Sequence, residues 1–266
     1  MNRIYDEICP ITGIREVANN IFLIQIFSKN ITKCCEPGQF VNVRIDSGDF
    51  PFLRRPFSIY NTDISGGYLE ILVKVVGDGT SLLSRCKKGD DIRTLGPLGN
   101  SFHFHDCNNI ILAAGGIGLP PLYFLYNKIK DLNITYTFFY CARTESELIE
   151  NDLLRIPDGN LIVATDDGSY GIKGILTDVL DNELNGKEIP EKTKIFGCGP
   201  EKMLEKINEL SLKYNVKSEV SVERVMGCGF GVCQGCVIKV KENNMFAYKL
   251  VCKDGPVFDS TTIVWE

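Results

Sequence analysis

Histidine is nearly absent from this chain: His103 and His105 are the only two among 266 residues. They alternate along an expected strand and share a face, with no third ligand nearby. They therefore read as structural or solvated side chains, not as a metal site. Long apolar runs are missing too. The longest, Ile110 to Leu122, is broken by glycine and proline, so no segment reads as a bilayer-spanning helix. The net charge of −5 is spread over both signs with no basic stripe, which gives no footing for nucleic acid. Met1 to Glu7 lacks the apolar core of a secretion signal and soon takes on a strand pattern. No internal repeat or low-complexity tract stands out. A cytoplasmic protein with neither membrane nor nucleic acid as partner is the expectation.

What the chain does have is cysteine, eleven in all. Seven are scattered (Cys9, Cys34, Cys35, Cys86, Cys107, Cys141 and Cys198) and read as free thiols of a reducing compartment. The other four, Cys228, Cys233, Cys236 and Cys252, follow the spacing C-x4-C-x2-C with a distant fourth thiol. That is the plant-type pattern for a [2Fe–2S] cluster. Structural zinc usually takes two short pairs, and only Cys233 and Cys236 form one. Gly227, Gly229, Gly231 and Gly235 leave room for backbone amides to approach bridging sulfides, which zinc does not need. The pattern points to a cluster, with zinc and redox thiols as the alternatives. A cluster moves single electrons, so the chain reads as an electron carrier.

At 44% hydrophobic, the chain is long enough for two domains and a small module. The reading is β plus α/β, in three segments. Residues 1–103 alternate short strands (21–27, 39–45, 68–76) with turn clusters at 37–38, 46–48, 65–67 and 77–79, which suits a small antiparallel barrel. Residues 87–90 and 96–99 look like its closing turns. Residues 104–215 change pattern, with strands expected at 109–114, 134–140, 161–165 and 194–197. Helices are expected at 122–130, 145–154, around 176–180 and at 201–213. That alternation means a doubly wound parallel sheet. Residues 216–266 hold the four clustered cysteines. Three glycine-bearing loops follow expected parallel strands: Gly115-Gly116-Ile117-Gly118, Thr165 to Ser169, and Gly197-Cys198-Gly199-Pro200. Each alone is as readily a plain turn. Together they mark one carboxyl edge of an open sheet, where nucleotides bind.

Over its whole length the chain resembles the ferredoxin–NADP reductase superfamily. Arg55-Pro56-Phe57-Ser58 resembles the flavin motif R-x-[YF]-S. The resemblance implies Arg55 on the FAD pyrophosphate, Phe57 on the isoalloxazine and Ser58 near flavin N5. In isolation, Arg55 could equally be a surface arginine and Phe57 plain core. Leu72, Val73, Lys74, Gly79 and Thr80 match positions that wrap FAD in relatives. Gly115, Gly116 and Gly118, with Cys198, Gly199 and Pro200, resemble the nicotinamide-nucleotide motifs. Cys198 is implied to position the nicotinamide and not to act as a nucleophile; a buried structural cysteine is its plainer reading. The chain departs from the pattern at Leu119-Pro120-Pro121, where a small residue before one proline is commoner. It departs again at Cys141, where glycine is expected. Asp166 and Asp167 would repel a 2′-phosphate, while Arg143 could serve one, cap a helix or be solvated. The balance favours NADH, with Asp167 taken into the site.

The order of flavin barrel, nucleotide domain and C-terminal cysteines resembles the electron-transfer subunits of NAD-dependent dihydroorotate dehydrogenases. This implies FAD, NAD(H) and a [2Fe–2S] cluster, no catalytic side chain of the chain's own, and a role in pyrimidine biosynthesis. It further implies an FMN-containing dihydroorotate dehydrogenase catalytic subunit as partner, in a heterotetramer of two of each. A neighbouring branch, small subunits of NADPH:ferredoxin or sulfide oxidoreductases, shares the layout, but there one cluster ligand can be aspartate. All four positions are cysteine here.

Overall fold

Short alternating strands close on themselves in the first third of the chain. The computed structural model describes residues 3–45, 52–243 and 245–265. The turn expected at 46–48 lies outside the described residues. Six strands, β1 (Tyr5–Ala18), β2 (Ile21–Phe27), β3 (Phe40–Ile45), β4 (Arg55–Asp63), β5 (Tyr68–Lys74) and β6 (Asp91–Leu98), form a closed antiparallel barrel in the order β1-β2-β5-β4-β3-β6. Ile24, Ile26, Val41, Val43, Ile59, Ile71, Val73 and Ile92 fill it with no exposed surface. Two short helices, α1 (Lys29–Cys34) and α2 (Asp78–Ser84), interrupt the strands where turns alone were expected. Ser28 caps α1 by accepting from the Ile31 amide, a local bond that strand periodicity does not register. The 87–90 turn does precede β6, but Gly96-Pro97-Leu98 lies inside that strand, where Gly96 pairs with Tyr5.

Residues 99–108 join barrel to sheet without forming the strand expected at His103 and His105. The His103 ring instead faces Glu219 at 3.0 Å, and that carboxylate also receives Lys194 at 2.9 Å. The α/β region brings in β7 (Asn109–Gly115), α3 (Leu119–Ile129), β8 (Thr135–Ala142), α4 (Asn151–Leu154), β9 (Leu161–Thr165), β10 (Ile172–Lys173), α5 (Leu176–Leu184), β11 (Thr193–Cys198) and α6 (Glu201–Lys213). The helix expected over 145–154 shrinks to a 3₁₀ turn at Glu145–Glu147 and the one-turn α4. Extended Leu148 separates them, and Pro157 closes the segment soon after. Helix α3 begins three residues early because Pro120 and Pro121 occupy its first turn, where no N–H partner is needed.

The last fifty residues are not a free-standing module. Strand β12 (Lys217–Ser221) runs parallel to β11, and β15 (Val257–Asp259) pairs antiparallel with β12. Both extend one sheet of seven strands, ordered β10-β9-β8-β7-β11-β12-β15. Between them a lobe carries the four clustered cysteines and the hairpin β13 (Val237–Glu242) and β14 (Met245–Leu250).

Two contacts orient barrel and sheet. Helix α3 lies against β4, with the Tyr60 and Tyr123 rings stacked at 4.5 Å. The 3₁₀ turn reaches back to the barrel, where the Asn19 amide donates to the Ser146 carbonyl at 2.9 Å. The helix after one glycine loop is thus packed on the strand that carries Arg55 to Ser58.

Candidate functional site

Strand β4 changes partner halfway. Arg55 to Ser58 pair with β3, and Ile59 to Asp63 pair with β5. The ladder between β4 and β5 ends at Ile59 and Ile71, so Leu72 to Lys74 are paired only on their other side, with β2. The barrel wall therefore opens into a seam between Arg55–Ser58 and Leu72–Lys74, with main-chain groups along both lips. Phe57 packs at the edge of the barrel core, Pro56 is exposed, and Ser58 is half-buried opposite Phe40. The Val73 side chain is wholly inside the barrel, and Leu72 belongs to the core shared with the sheet; what they offer the seam is backbone.

At one end of the seam the Arg55 guanidinium lies across Gly79. A Cβ there would stand 2.3 Å from Arg55 Nε, so any side chain at this position would push the guanidinium aside. Thr80 shapes the same turn: its hydroxyl accepts from the Val76 and Gly77 amides at 2.9 and 3.1 Å and donates to the Gly77 carbonyl. A seam edged by backbone and ended by an arginine held over a glycine fits a flat ring carrying a pyrophosphate.

Beside it the carboxyl edge of the sheet forms a cleft of about 860 Å³. Gly115, Gly116, Gly118, Cys141, Gly199 and Pro200 line it, as do Lys74 from the barrel and Asp166. The two glycine loops are pressed together. A Cβ on Gly118 would meet the Cys198 carbonyl oxygen at 2.3 Å, and one on Gly115 would meet the Met203 sulfur at 2.5 Å. Gly116 has φ +54° with open space before it, a left-handed position turned toward the cleft. Cys198 is buried beneath these loops; burial and the nearby Glu223 push its thiol upward, which leaves no nucleophilic thiolate. Burial likewise pushes Cys141 up to about 12. Asp167 turns its carboxylate to the Ser169 amide and hydroxyl, at 2.9 and 2.6 Å, while its neighbour Asp166 is the one along the cleft.

Sequence reading missed Lys202, Lys206 and Arg224, which also line this cleft. Position relative to a strand end is their signal: α6 opens directly after Gly199-Pro200, so its first turns border whatever the loop holds. Glu147 was missed as well. Its carboxylate takes the Arg143 guanidinium and stands 3.4 Å from Lys74, joining the nucleotide cleft to β5 of the barrel.

The four clustered thiols fall into two pairs. The Cys233 amide donates to Cys228 Sγ, and the Cys252 amide donates to Cys236 Sγ, each at 3.4 Å. Gly229 and Gly231, at φ +83° and +89°, give the loop the curl that aims amides inward, and the Gly231 amide reaches Cys252 Sγ at 3.1 Å. Burial opposes ionisation of Cys228, but the amides of Cys233, Phe230 and Val232 outweigh it and push the thiol down to about 6. Burial and the neighbouring Cys236 push Cys252 up to about 12. Among the described residues no group of His, Cys, Asp and Glu converges on a single metal ion. Two pairs of sulfurs wrapped in backbone N–H groups fit a two-iron cluster, two thiolates to each iron. Cys236 and Cys252 are buried, Cys228 is half-buried and Cys233 is exposed.

Barrel seam, nucleotide cleft and paired thiols on one framework define a flavin- and iron–sulfur-dependent oxidoreductase of the ferredoxin-reductase type. Residues 10–103 match the family model of the oxidoreductase FAD-binding domain. Residues 223–264 match that of the iron–sulfur cluster binding domain of dihydroorotate dehydrogenase B. The chain is 33% identical over its full length to the whole of the dihydroorotate dehydrogenase B (NAD(+)) electron transfer subunit of Desulforamulus reducens. With the subunit of the same name from Caldanaerobacter subterraneus it shares 36% over 92% of each chain. A solved NADH-dependent reduced ferredoxin-NADP oxidoreductase superposes with a TM-score of 0.85 at 30% identity, over 97% of this chain and 90% of that one. The chain belongs to the family of dihydroorotate dehydrogenase B electron transfer subunits.

Proposed function

We propose that this chain carries electrons between NAD(H) and a separate FMN-containing catalytic subunit that oxidises dihydroorotate to orotate. When bound, FAD supplies two-electron exchange with the nicotinamide, and a [2Fe–2S] cluster supplies one-electron exchange with the partner. The residues divide the work by position. Arg55 over Gly79 would hold the pyrophosphate; Phe57, Ser58 and the backbone of Leu72 to Lys74 would hold the ring. Gly115, Gly116, Gly118, Gly199 and Pro200 would admit the dinucleotide close to the sheet edge, with Cys198 supporting the nicotinamide as a buried wall. Asp166, which lines the cleft, favours NADH over NADPH. Cys228 with Cys233, and Cys236 with Cys252, would each take one iron.

The observation that carries this reading is the pairing of the four thiols against the barrel that holds the Arg55–Ser58 strand. The exposed end of the thiol loop is then the exit, flanked by exposed Val225, Phe230 and Val232. The partner is inferred to dock there, in an assembly of two of each subunit. No described helix is long and apolar enough to cross a membrane. The abundance of cysteine, eleven residues in all, is what favours a reducing, cytoplasmic setting. The solved ferredoxin-NADP oxidoreductase favours a second reading, a subunit of such a complex.

Cys233→Ser is the test. FAD reduction by NADH is expected to continue within about twofold, while electron delivery to a dihydroorotate-oxidising partner falls to background. Equal activity of both steps in the variant would contradict the proposal. Co-purification with an NADPH-using partner in place of the dehydrogenase would favour the second reading.

A further inference from the structure

Asn42 is a polar side chain with no exposed surface, set in the middle of β3. On that strand it pairs with Pro56, so it is laterally joined to the Arg55–Ser58 motif. Its side chain leaves the barrel altogether. Asn42 Nδ2 donates to the carbonyl of Cys228 at 3.1 Å, a bond spanning 186 residues of sequence. Gly229 is moulded around this amide: a Cβ there would lie 2.3 Å from Asn42 Nδ2. Among the described residues Asn42 Oδ1 has no hydrogen-bond partner. Burying an amide with only part of its hydrogen bonding satisfied is costly, and a leucine of similar volume would fill the space without that cost.

A second amide holds the far side of the thiol loop. Asn100 follows β6, and its Nδ2 donates to the carbonyls of Asp254 and Val257 at 3.1 and 2.8 Å. Its Oδ1 accepts from the Val257 amide at 2.9 Å. Both anchors come from the barrel, and between them they grip the segments that carry the first and last clustered cysteines. Asn100 lies at the rim; Asn42 joins the flavin strand's neighbour directly to a ligand residue.

We propose that Asn42 is a positioning residue for electron transfer, fixing the Cys228–Gly229 backbone against the flavin strand so that cluster and flavin keep one separation and orientation. This rests on the cofactor assignments above, and its role is separable from assembly of either site. Asn42→Leu keeps the volume and removes the donor, and Asn42→Ala removes it without overpacking.

Both variants, loaded with FAD and iron, are compared with the wild type in three measurements. These are the rate of flavin reduction by NADH, the rate at which the cluster is then reduced, and the electron paramagnetic resonance signature of the chemically reduced cluster. Flavin reduction is expected to stay within about twofold. Cluster reduction is expected to slow clearly beyond that twofold range, with a shifted signature, since hydrogen bonding and exposure around the cluster set its properties. Unchanged cluster reduction and signature would overturn the proposal, and so would an equal slowing of both steps, which would make Asn42 a mere support of the barrel. If neither variant retains iron while both retain FAD, Asn42 serves assembly and the positioning role is refuted. A wild-type protein without a cluster signature would instead refute the cofactor assignment.

Discussion

Glycine and asparagine fix how closely the loops of this site approach one another. Gly118 has no space for a methyl group, because the Cys198 carbonyl on the facing loop is backbone and cannot rotate away. Gly118→Ala is therefore expected to force the two nucleotide loops apart and cost about 1–3 kcal/mol, the usual penalty of overpacking. Urea unfolding followed by circular dichroism checks the stability, and NADH titration checks for weakened binding. The glycines, cysteines and Arg55 were legible from sequence because their chemistry is tied to type and spacing. Asn42 was not. Nothing in the stretch from Phe40 to Ile45 distinguishes an asparagine facing solvent from one buried against a loop 186 residues away.

Among the elements, the short 3₁₀ turn at Glu145–Glu147 has one of the more consequential placements. Its Glu147 carboxylate is held below the ordinary value of 4.5 by the Arg143 hydrogen bond first, and by the charge of Lys74 on β5. A carboxyl whose folded pKa is lowered stabilises the fold above its unfolded pKa and stops doing so as pH falls through the folded value. Wild type is thus expected to exceed Glu147→Gln in urea midpoint at pH 7. The gap should close as pH drops below about 4.5, since the variant has no carboxyl to protonate there. A gap that persists unchanged to pH 3 would show that the ion pairs with Arg143 and Lys74 contribute nothing. Strands β2, β3, β5, β7, β8, β9 and β11 and the longer helices were readable from hydrophobic period, whereas β4, β6 and the strands of the last fifty residues were not. The short α1, α2 and the broken 145–154 segment were not, because local caps and single hydrogen bonds decide them.

At the scale of the molecule, the thiol lobe is stitched to both larger parts. β12 and β15 bind it to the nucleotide sheet, and Asn42 and Asn100 bind it to the barrel. Its outer loop is left with Val225 at 89%, Val232 at 71% and Phe230 at 47% exposure, an apolar set around the accessible Cys233. Val232→Asp is expected to weaken binding of the catalytic partner by about tenfold, as loss of an interface anchor does, with FAD reduction by NADH unaltered. Affinity measured against the purified partner tests this; unchanged affinity would move the docking face elsewhere.

The chain's own order of residues determined the inventory: a flavin motif, three glycine loops, four thiols at a plant-type spacing, and the alternation that makes barrel and parallel sheet. These follow from covalent geometry and from short-range periodicity, which act within a few residues. Tertiary structure alone decided that the thiols form two pairs and that β4 changes partners to open a seam. It also decided that Asp166 and not Asp167 borders the cleft, and that a buried amide on β3 grips the first cysteine. Those outcomes depend on which surfaces meet when distant segments pack, and a hydrogen bond 3.1 Å long leaves no trace at a sequence separation of 186.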